Sequence, residues 1–373
     1  MLTHIIMVPV LESRLRGALW GLFAGDALAS PTHWYYGGPS QIASDYGGPI
    51  TTYVQPIPNM AGSIMNKSNS NGGGRGSFRK IDGVSIIGDV INHGKREYWD
   101  PARSVHYHAT LKAGENTLEV QLVRVLMRSI VANHGKFVPD HFREAYVKFM
   151  TTPGSHNDTY ASTCHRMFFA NKTFKKLPPE QCPDNDSHNV DTIDGLILPT
   201  ITALAYAAKN EADAGAEEAS RTAAVTRRSA VLEMYSSTWS DLIHASLRST
   251  DGIEDALNQA AKGFGMRQKP RANGRDEMSA CYLEGSVPTL LDMIAKYTSS
   301  SRKNDAWTGL LVNANVGGEN VHRGSVLGAI LGARAGMENM PAELFDGLHD
   351  KDAIASEIDA FVEAVLGSND REL

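Results

Sequence analysis

Seven glycines at four-residue intervals constrain the fold of this chain more than any other feature of its sequence. Residues four apart lie on one face of an α-helix, and glycine inside a helix costs roughly 0.5–1 kcal/mol relative to alanine. Repeated use of glycine on one face therefore indicates that another element packs very closely against it. We expect the two glycine faces to pack on each other, which would bring the two ends of the chain together. The glycines are Gly17, Gly21 and Gly25 near the start and Gly324, Gly328, Gly332 and Gly336 near the end.

Apolar residues recur at helical spacing over most of the chain, which predicts an all-α fold. Between residues 117 and 134, for example, Leu118, Leu122 and Val125 follow one another at steps of four and three. We interpret residues 11–367 as one compact, single-domain helical bundle. The same spacing predicts further helices over residues 140–150, 191–209, 214–247, 253–263, 282–297, 305–312, 321–337 and 352–366.

Residues 39–83 break the helical pattern because they are rich in glycine, proline, serine and asparagine. This composition predicts a long loop. Long loops in compact domains are often lids or binding loops, and the alternative is a surface insertion without a role at the site. The sequence does not decide between the two interpretations.

Charge and cysteine content limit the partners and the location. The chain of 373 residues has a formal net charge of −6 and no long lysine or arginine run, so it lacks the basic surface of a nucleic-acid-binding protein. No stretch is apolar enough to predict a membrane span. Three cysteines without paired spacing favour a reducing compartment. We expect a cytoplasmic protein that acts on a small molecule, and its oligomeric state is not predicted.

Two similar phrases stand before predicted helices far apart in the sequence, at residues 114–116 and 318–320. Both read Gly-Glu-Asn. Each places a carboxylate and an amide beside a helix N-terminus, where unpaired backbone N–H groups and the helix dipole favour acceptors and negative charge. We expect the two phrases to form two walls of one site.

The residues at both ends of the chain resemble those of a known family. Residues 16–28, with the sequence RGALWGLFAGDAL, resemble the opening of the ADP-ribosylglycohydrolases, and residues 312–329 are similar to that family's closing signature. The phrase at residues 114–117 stands where the family has Thr-Asp-Asp-Thr, and residues 194–199 stand where it has a helix start with glycine and proline. The resemblance extends over residues 14–336.

This resemblance implies an all-α fold and cleavage of the glycosidic bond of ADP-ribose, assisted by two magnesium ions held by acidic side chains of the two phrases. The chain departs from the family at these ligands, because Asn116 and Val321 stand at aspartate positions. Carboxylates are the main protein ligands of hard divalent cations. We therefore expect the two-magnesium site to be lost, with Glu115 and Glu319 as the ligands if one cation is bound. No other cofactor is predicted.

Three residues are the predicted catalytic groups. Glu115 and Glu319, if brought together, can share the acid and base work on a glycosidic bond, and His322 can assist proton transfer. The alternative for both glutamates is a structural role in the first turn of a helix.

Seven polar or charged residues are the predicted substrate-binding groups, and each also has a structural interpretation. Asn116 and Asn320 are equally well explained as helix N-caps, whereas Arg323 at a helix start can clamp an anionic group. His33 stands where the resembled family often has an acidic pocket residue, and its neighbour Trp34 is better explained as core. The predicted substrate-binding residues are Asp26, His33, Asn116, Asp191, Asp194, Asn320 and Arg323.

Two further patterns carry more specific expectations. Asp191 and Asp194 are three residues apart and would share one helix face. His106 and His108 would share a face in an extended segment, but no third ligand is near them in the sequence, so they do not predict a metal site.

Taken together, the sequence predicts a hydrolase that cleaves a glycosidic or related bond in a small polar substrate. A second interpretation is a non-catalytic relative that binds a ligand or has a structural role, because two acidic positions are lost.

Overall fold

The structure, a computed structural model, describes residues 2–73, 83–185, 189–298 and 305–367, with the backbone alone for residues 2–10. Within these ranges β-pairing is confined to isolated bridges, which confirms the predicted all-α fold. The helices α1 to α14 are, in order, Leu2–Ala29, Gly38–Tyr46, Leu118–Ala132, Pro139–Thr151, Thr163–Phe174, Ile197–Ala208, Ala212–Ala223, Ala230–Arg248, Glu254–Gly263, Leu283–Thr298, Asp305–Val316, Asn320–Ala335, Ala342–Asp346 and Lys351–Leu366.

Helices α1 and α12 pack against each other through their glycines, as the sequence predicts. A Cβ atom added to Gly21 would lie 2.1 Å from the carbonyl oxygen of Gly328. A Cβ added to Gly25 would lie 2.0 Å from the carbonyl oxygen of Gly324. No side chain fits between backbones this close, so these positions require glycine. Gly336 differs from the others because it follows α12 with a positive φ of 66°.

The direction of this packing determines where the site forms. Because Gly25 lies opposite Gly324, the end of α1 lies beside the beginning of α12. The turn after α1 is joined to the turn before α12 by backbone hydrogen bonds. The Trp34 N–H donates to the carbonyl oxygen of Gly318 (2.7 Å), and the Gly318 N–H donates to that of Tyr35 (3.2 Å).

Two helices are buried along nearly their whole length. All twelve residues of α6 are buried, as is α12 from Asn320 to Ala333. A helix surrounded on every side by other helices lies in the interior of a large bundle. Among the helices described, not one combines the length and the apolar character needed to cross a lipid bilayer.

The predicted boundaries differ from the structure in several places, and helix α5 lies where the sequence spacing predicts no helix. Helix α2 occupies residues 38–46, which overlaps the segment predicted as a loop, and residues 74–82 of that segment lie outside the described residues. The predicted helix 214–247 is divided into α7 and α8 by residues 224–229. Asp191 precedes a short 3₁₀ helix, Ile193–Leu196, so Asp191 and Asp194 do not share a helix face as predicted.

We predict that Gly21→Ala destabilises the protein, because its methyl group would meet the backbone of α12. Overpacking of a filled core typically costs about 1–3 kcal/mol, and a contact with backbone cannot be relieved by turning a side chain. We expect a loss of at least ~2 kcal/mol of unfolding free energy in urea denaturation.

The matched control is Gly285→Ala within α10, where an added Cβ meets nothing within 4 Å. Alanine is the better helix former by up to ~1 kcal/mol, so this variant should be neutral or more stable. Equal losses for the two variants would contradict the importance of the α1–α12 contact.

Candidate active site

Glu319 lies at the N-terminus of α12, and its side chain is completely buried. One carboxylate oxygen, Oε1, lies 3.0 Å from Nε2 of His33 and 2.5 Å from Nδ1 of His322. The other oxygen, Oε2, has no hydrogen-bond partner among the described residues. The carboxylate thus joins the turn after α1, which carries His33, to the first turn of α12, which carries His322. Its second oxygen remains unpaired among the described residues.

Two glycines give the chain the shape that places Glu319 there. Gly317 and Gly318 have φ values of +71° and +67°, a conformation that glycine adopts at little cost. A Cβ on Gly317 would lie 2.3 Å from the carbonyl oxygen of Tyr35. The Glu319 N–H then donates to the carbonyl oxygen of Ser279 (2.9 Å), which fixes the backbone beneath the carboxylate.

A row of hydrogen-bonded side chains continues from His33 away from Glu319. His33 Nδ1 lies 2.7 Å from Nε2 of His108, and His108 Nδ1 lies 2.8 Å from Oδ1 of Asp158. The two imidazole rings are nearly parallel, with centroids 5.0 Å apart. All these side chains are buried, so the row holds the His33 ring in one orientation.

Trp34 forms an aromatic wall beside this row and has an unusual backbone conformation. Its φ of +58° is a genuine outlier for a bulky residue, and such outliers concentrate at functional sites. The indole stacks on the His33 ring at 3.9 Å and meets Tyr160 edge-on at 4.9 Å. The strained turn therefore places an aromatic face directly over the histidine.

A small pocket of about 30 Å³ lies over Glu319 and His322. This volume accommodates one water molecule. The pocket shares Thr163 and Asn189 with a larger groove of about 930 Å³, so the two adjoin. The small pocket is lined by Trp34, Tyr160, Ser162, Thr163, Asn189, Thr192, Asp194, Cys281, Glu319 and His322.

Neighbouring charges set the protonation of the groups around the pocket. Burial alone would raise the pKa of the Glu319 carboxyl, but His322 and His33 outweigh burial and hold that pKa well below its usual range. Burial opposes the charge of His322, yet the nearby Glu319 carboxylate raises the pKa of His322 to about 10. Burial raises the pKa of the Cys281 thiol to about 12, so this thiol stays protonated and does not serve as a nucleophile at neutral pH.

Four of the predicted site residues are brought together. His33 and His322 contact Glu319, and Asp194 lines the same small pocket. Asp194 is paired with the buried Arg227 at 2.9 Å. Burial alone would raise the pKa of Asp194, but Arg227 outweighs it and holds that pKa at about 2, which keeps a second carboxylate ionised at the pocket.

Asp26 and Asn116 lie together in a different cluster. Asp26 accepts hydrogen bonds from the Thr117 N–H (2.8 Å), the Thr117 hydroxyl (2.6 Å) and the Asn116 amide (2.9 Å). Thr117 is the N-cap residue of α3, so Asp26 fastens the start of that helix to the end of α1. These bonds use most of the hydrogen-bond acceptor capacity of Asp26. A structural role therefore explains both Asp26 and Asn116.

Glu115 is not in the pocket that contains Glu319. Its carboxylate accepts from the Lys112 N–H (2.8 Å) and from the Asn157 amide (3.2 Å), and it lines a separate surface cavity. The predicted pairing of Glu115 with Glu319 is therefore wrong, because the turn before α3 directs Glu115 into its own loop.

The remaining predicted residues also make local contacts. Asp191 accepts from the hydroxyl of Ser229, the N-cap of α8. The buried Asn320 amide donates to the Thr32 hydroxyl at 2.7 Å, so it ties α12 to the turn after α1.

Arg323 is buried beneath the pocket and does not reach it. Its guanidinium donates to Asn313 Oδ1 (2.8 Å) and to the Ser279 hydroxyl (2.7 Å). It thereby fixes the loop whose Ser279 carbonyl receives the Glu319 N–H. These contacts give Arg323 a structural role, and its role as a clamp on an anionic substrate stays a prediction.

Several residues of the site carry little sequence signal. In the sequence, His108 is marked only by its spacing from His106. His33, which contacts His108 in the structure, is 75 residues away in the sequence. Nothing in the sequence pairs Asp158 with His108 or places Tyr160 and Cys281 at the pocket. Trp34 contacts core residues as the sequence favours, yet it also lines the pocket.

The protein is an all-α protein with a buried polar pocket. The pocket forms where two helices packed through their glycines bring polar side chains together. The sequence matches the ADP-ribosylglycohydrolase family over residues 7–371. The chain belongs to this family, which supports a hydrolase of the glycohydrolase type.

Comparison with solved structures supports the same fold. The chain is similar to a structure described as an ADP-ribosylglycohydrolase-related protein complex, with a TM-score of 0.56 and 17% sequence identity. The similarity covers 95% of this chain and 99% of the other. No curated protein matches the sequence significantly.

We predict that Asp194→Asn strongly destabilises the protein, because it leaves the Arg227 guanidinium buried without its carboxylate. Breaking a buried ion pair by removing one partner typically costs about 3–5 kcal/mol, which urea denaturation at neutral pH would measure. The pKa of Asp194 is lower in the folded state than its ordinary value of about 3.9. The contribution of this pair to the unfolding free energy should therefore be complete above a pH of about 3.9. It should decline as the pH falls towards 2.

The control is Asp346→Asn, which breaks the pair with Lys351, whose side chains are both largely exposed (62% and 44%). Exposed pairs contribute little, so the unfolding curve should hardly change. A loss for Asp346→Asn as large as that for Asp194→Asn would contradict the distinction between the two pairs.

Proposed function

We propose that this protein is a hydrolase that cleaves a glycosidic or related bond in a small polar substrate, such as a ribosylated compound. Glu319 would be the residue that activates water. The observation that carries this proposal is the buried Oε2 atom of Glu319, which has no hydrogen-bond partner in the described part of the chain. Glu319 also lines a pocket large enough for a water molecule.

Geometry supports the role of Glu319 as a base. The contacts with His33 and His322 hold Oε1 in place, while Oε2 is free to accept a proton from a bound water. A positioned base typically contributes a factor of about 10²–10⁴ to the rate, and the full effect needs a pKa near the working pH. The lowered pKa of Glu319 keeps the carboxylate ionised and places its contribution towards the lower end of that range. Burial also excludes bulk water, which strengthens every electrostatic interaction within the pocket.

The adjoining groove suits a polar substrate. Residues 66–70, with the sequence Asn-Lys-Ser-Asn-Ser, line it together with Asn189. Amide and hydroxyl groups both donate and accept hydrogen bonds, which matches the hydroxyl groups of a sugar. Residues 66–70 belong to the segment predicted as a loop, so their position favours a binding role over an insertion without function.

The family membership supports the reaction class, since ADP-ribosylglycohydrolases are hydrolases of glycosidic bonds. The solved structure described as an ADP-ribosylglycohydrolase-related protein complex agrees with this inference at the level of fold. A small-molecule substrate fits the size of the pocket and groove. A cytoplasmic location fits the three free cysteines.

The test is Glu319→Gln, assayed against nucleosides, nucleotide sugars and ADP-ribosylated compounds. Glutamine keeps the size of the side chain but cannot act as a base, so we expect turnover to fall by at least ~10²-fold. Circular dichroism and thermal unfolding would establish that the variant is folded, and Glu319→Asp provides a second variant if it is not.

The matched control is Glu343→Gln on α13, where the glutamate is exposed and remote from the pocket. This variant should retain full turnover. Unchanged turnover in Glu319→Gln would sink the assignment of Glu319. Binding of compounds by the parent protein without hydrolysis of any would instead favour the non-catalytic alternative.

A further inference from the structure

The residues around Glu319 do not fit the pair of magnesium ions that the family implies. Magnesium takes oxygen ligands in near-octahedral geometry, whereas the groups that contact this carboxylate are the imidazoles of His33 and His322. Val321, at the position of a family aspartate, is buried and has no ligand atom. The nearby carboxylate of Asp26 is occupied by the start of α3.

The same residues do form a compact nitrogen and oxygen donor set. A ligand atom from each of His33, Glu319 and His322 lies within 4.8 Å of the other two, and all three side chains are buried. A tetrahedral zinc ion with bonds of about 2.0–2.1 Å separates its ligands by roughly 3.3 Å. Glu319 Oε1 lies 3.0 Å from His33 Nε2, which is close to this value, and 2.5 Å from His322 Nδ1, which is shorter. A zinc ion would therefore require the His322 and Glu319 ligand atoms to move apart by roughly 0.8 Å.

The direction of the hydrogen bonds in the histidine row gives independent support. Asp158 already accepts from the backbone N–H groups of Leu118 and Tyr160, so it is an acceptor towards His108 as well. His108 therefore donates from Nδ1, and in the tautomer with one ring proton it accepts at Nε2 from His33 Nδ1.

In that tautomer, Nε2 of His33 has a lone pair directed at the carboxylate of Glu319. Two acceptors 3.0 Å apart need either a shared proton or a metal ion between them. The metal ion is the arrangement that His322 Nδ1 also fits, since it lies next to the same carboxylate oxygen. On binding, the metal ion would displace the proton that His322 shares with Glu319 in the metal-free protein.

We propose that His33 Nε2, His322 Nδ1 and the Glu319 carboxylate bind one divalent transition-metal ion of the zinc class. This inference rests on the proposed function, because two histidines and one glutamate are the ligand set of hydrolytic zinc centres, whose fourth position holds water. Imidazole favours zinc over magnesium. The pocket above Glu319 and His322 has room for that water.

His108 and Asp158 complete the site as positioning residues. A metal-binding histidine usually donates its second ring nitrogen to a carboxylate or another acceptor, and removal of that partner weakens metal affinity about 10–100-fold. Here His33 donates to His108, which donates to Asp158. The row thus fixes the tautomer that leaves His33 Nε2 available to the metal.

The test uses the untagged full-length protein after treatment with a chelator that is then removed. Isothermal titration calorimetry with Zn²⁺ should give one ion bound per chain, and a large excess of Mg²⁺ should not compete. Loading with Co²⁺ should produce the visible absorption of a tetrahedral cobalt site, a readout that requires no substrate.

Variants identify the ligands. We expect His33→Ala and His322→Ala to abolish zinc binding and the cobalt spectrum, and His108→Gln to weaken zinc binding about 10–100-fold. The control His244→Ala alters a half-buried histidine on α8 that lies outside the row and should bind zinc like the parent. If His33→Ala does not fold, His322→Asn tests the same site.

The outcomes separate this inference from the proposed function. No zinc binding by the parent, equal competition by Mg²⁺, or undiminished binding by a folded His33 or His322 variant would overturn the metal site. Zinc binding without hydrolysis of any compound would contradict the proposed function and leave the metal site intact. Hydrolysis by a parent protein that binds no zinc would overturn the metal site and leave the hydrolase proposal intact.

Discussion

The backbone contact between α1 and α12 is the constraint on which the rest of this structure depends. Its glycines allow carbonyl oxygens of one helix to approach Cα atoms of the other at distances that exclude any side chain. The contact is antiparallel, so the turn that carries His33 and the turn that carries Glu319 emerge at the same end. The site is therefore assembled by helix packing first and completed by side-chain contacts afterwards.

Several carboxylates are buried around the site, and most of them have a partner among the described residues. Glu119 pairs with His165 at 3.0 Å, and Asp194 pairs with Arg227 at 2.9 Å. Transfer of charges out of water costs several kcal/mol per ion even in a relaxed protein, and apolar residues would fill the same volume at lower cost. These two pairs therefore favour a functional explanation, whereas the bonds of Asp26 to the start of α3 explain that residue structurally.

Glu319 differs from the other buried carboxylates in one respect that bears on function. Asp26 and Asp158 use both oxygens in hydrogen bonds with the protein. Glu319 has two imidazoles on one oxygen, and the other oxygen has no hydrogen-bond partner among the residues that the structure describes. An unsatisfied buried acceptor costs about 1–3 kcal/mol, and a ligand that satisfies it removes this penalty. The unsatisfied Oε2 of Glu319 therefore favours the binding of a water molecule or ligand in the pocket.

The sequence predicts the fold better than the site for a physical reason that the two Gly-Glu-Asn phrases illustrate. Helical spacing and the glycine faces are local or periodic signals, so the all-α fold and the α1–α12 contact could be predicted. The phrases, however, stand in different registers relative to their helices. Helix α12 begins at Asn320, directly after Glu319, whereas α3 begins at Leu118, three residues after Glu115. Identical residues therefore point in different directions, and only Glu319 reaches the pocket.

The replacement of oxygen ligands by imidazoles changes the charge of the site and with it the number of cations that it suits. Glu319 contributes one negative charge, and the imidazoles of His33 and His322 can bind a metal ion only in their neutral form. In the metal-free protein the raised pKa of His322 leaves that ring protonated at neutral pH, so a metal ion would have to displace its proton. One divalent ion bound by this set would leave a net positive charge, because Asp194 is already paired with Arg227. A second cation would add repulsion, so the departure from the family's acidic phrases favours a single ion.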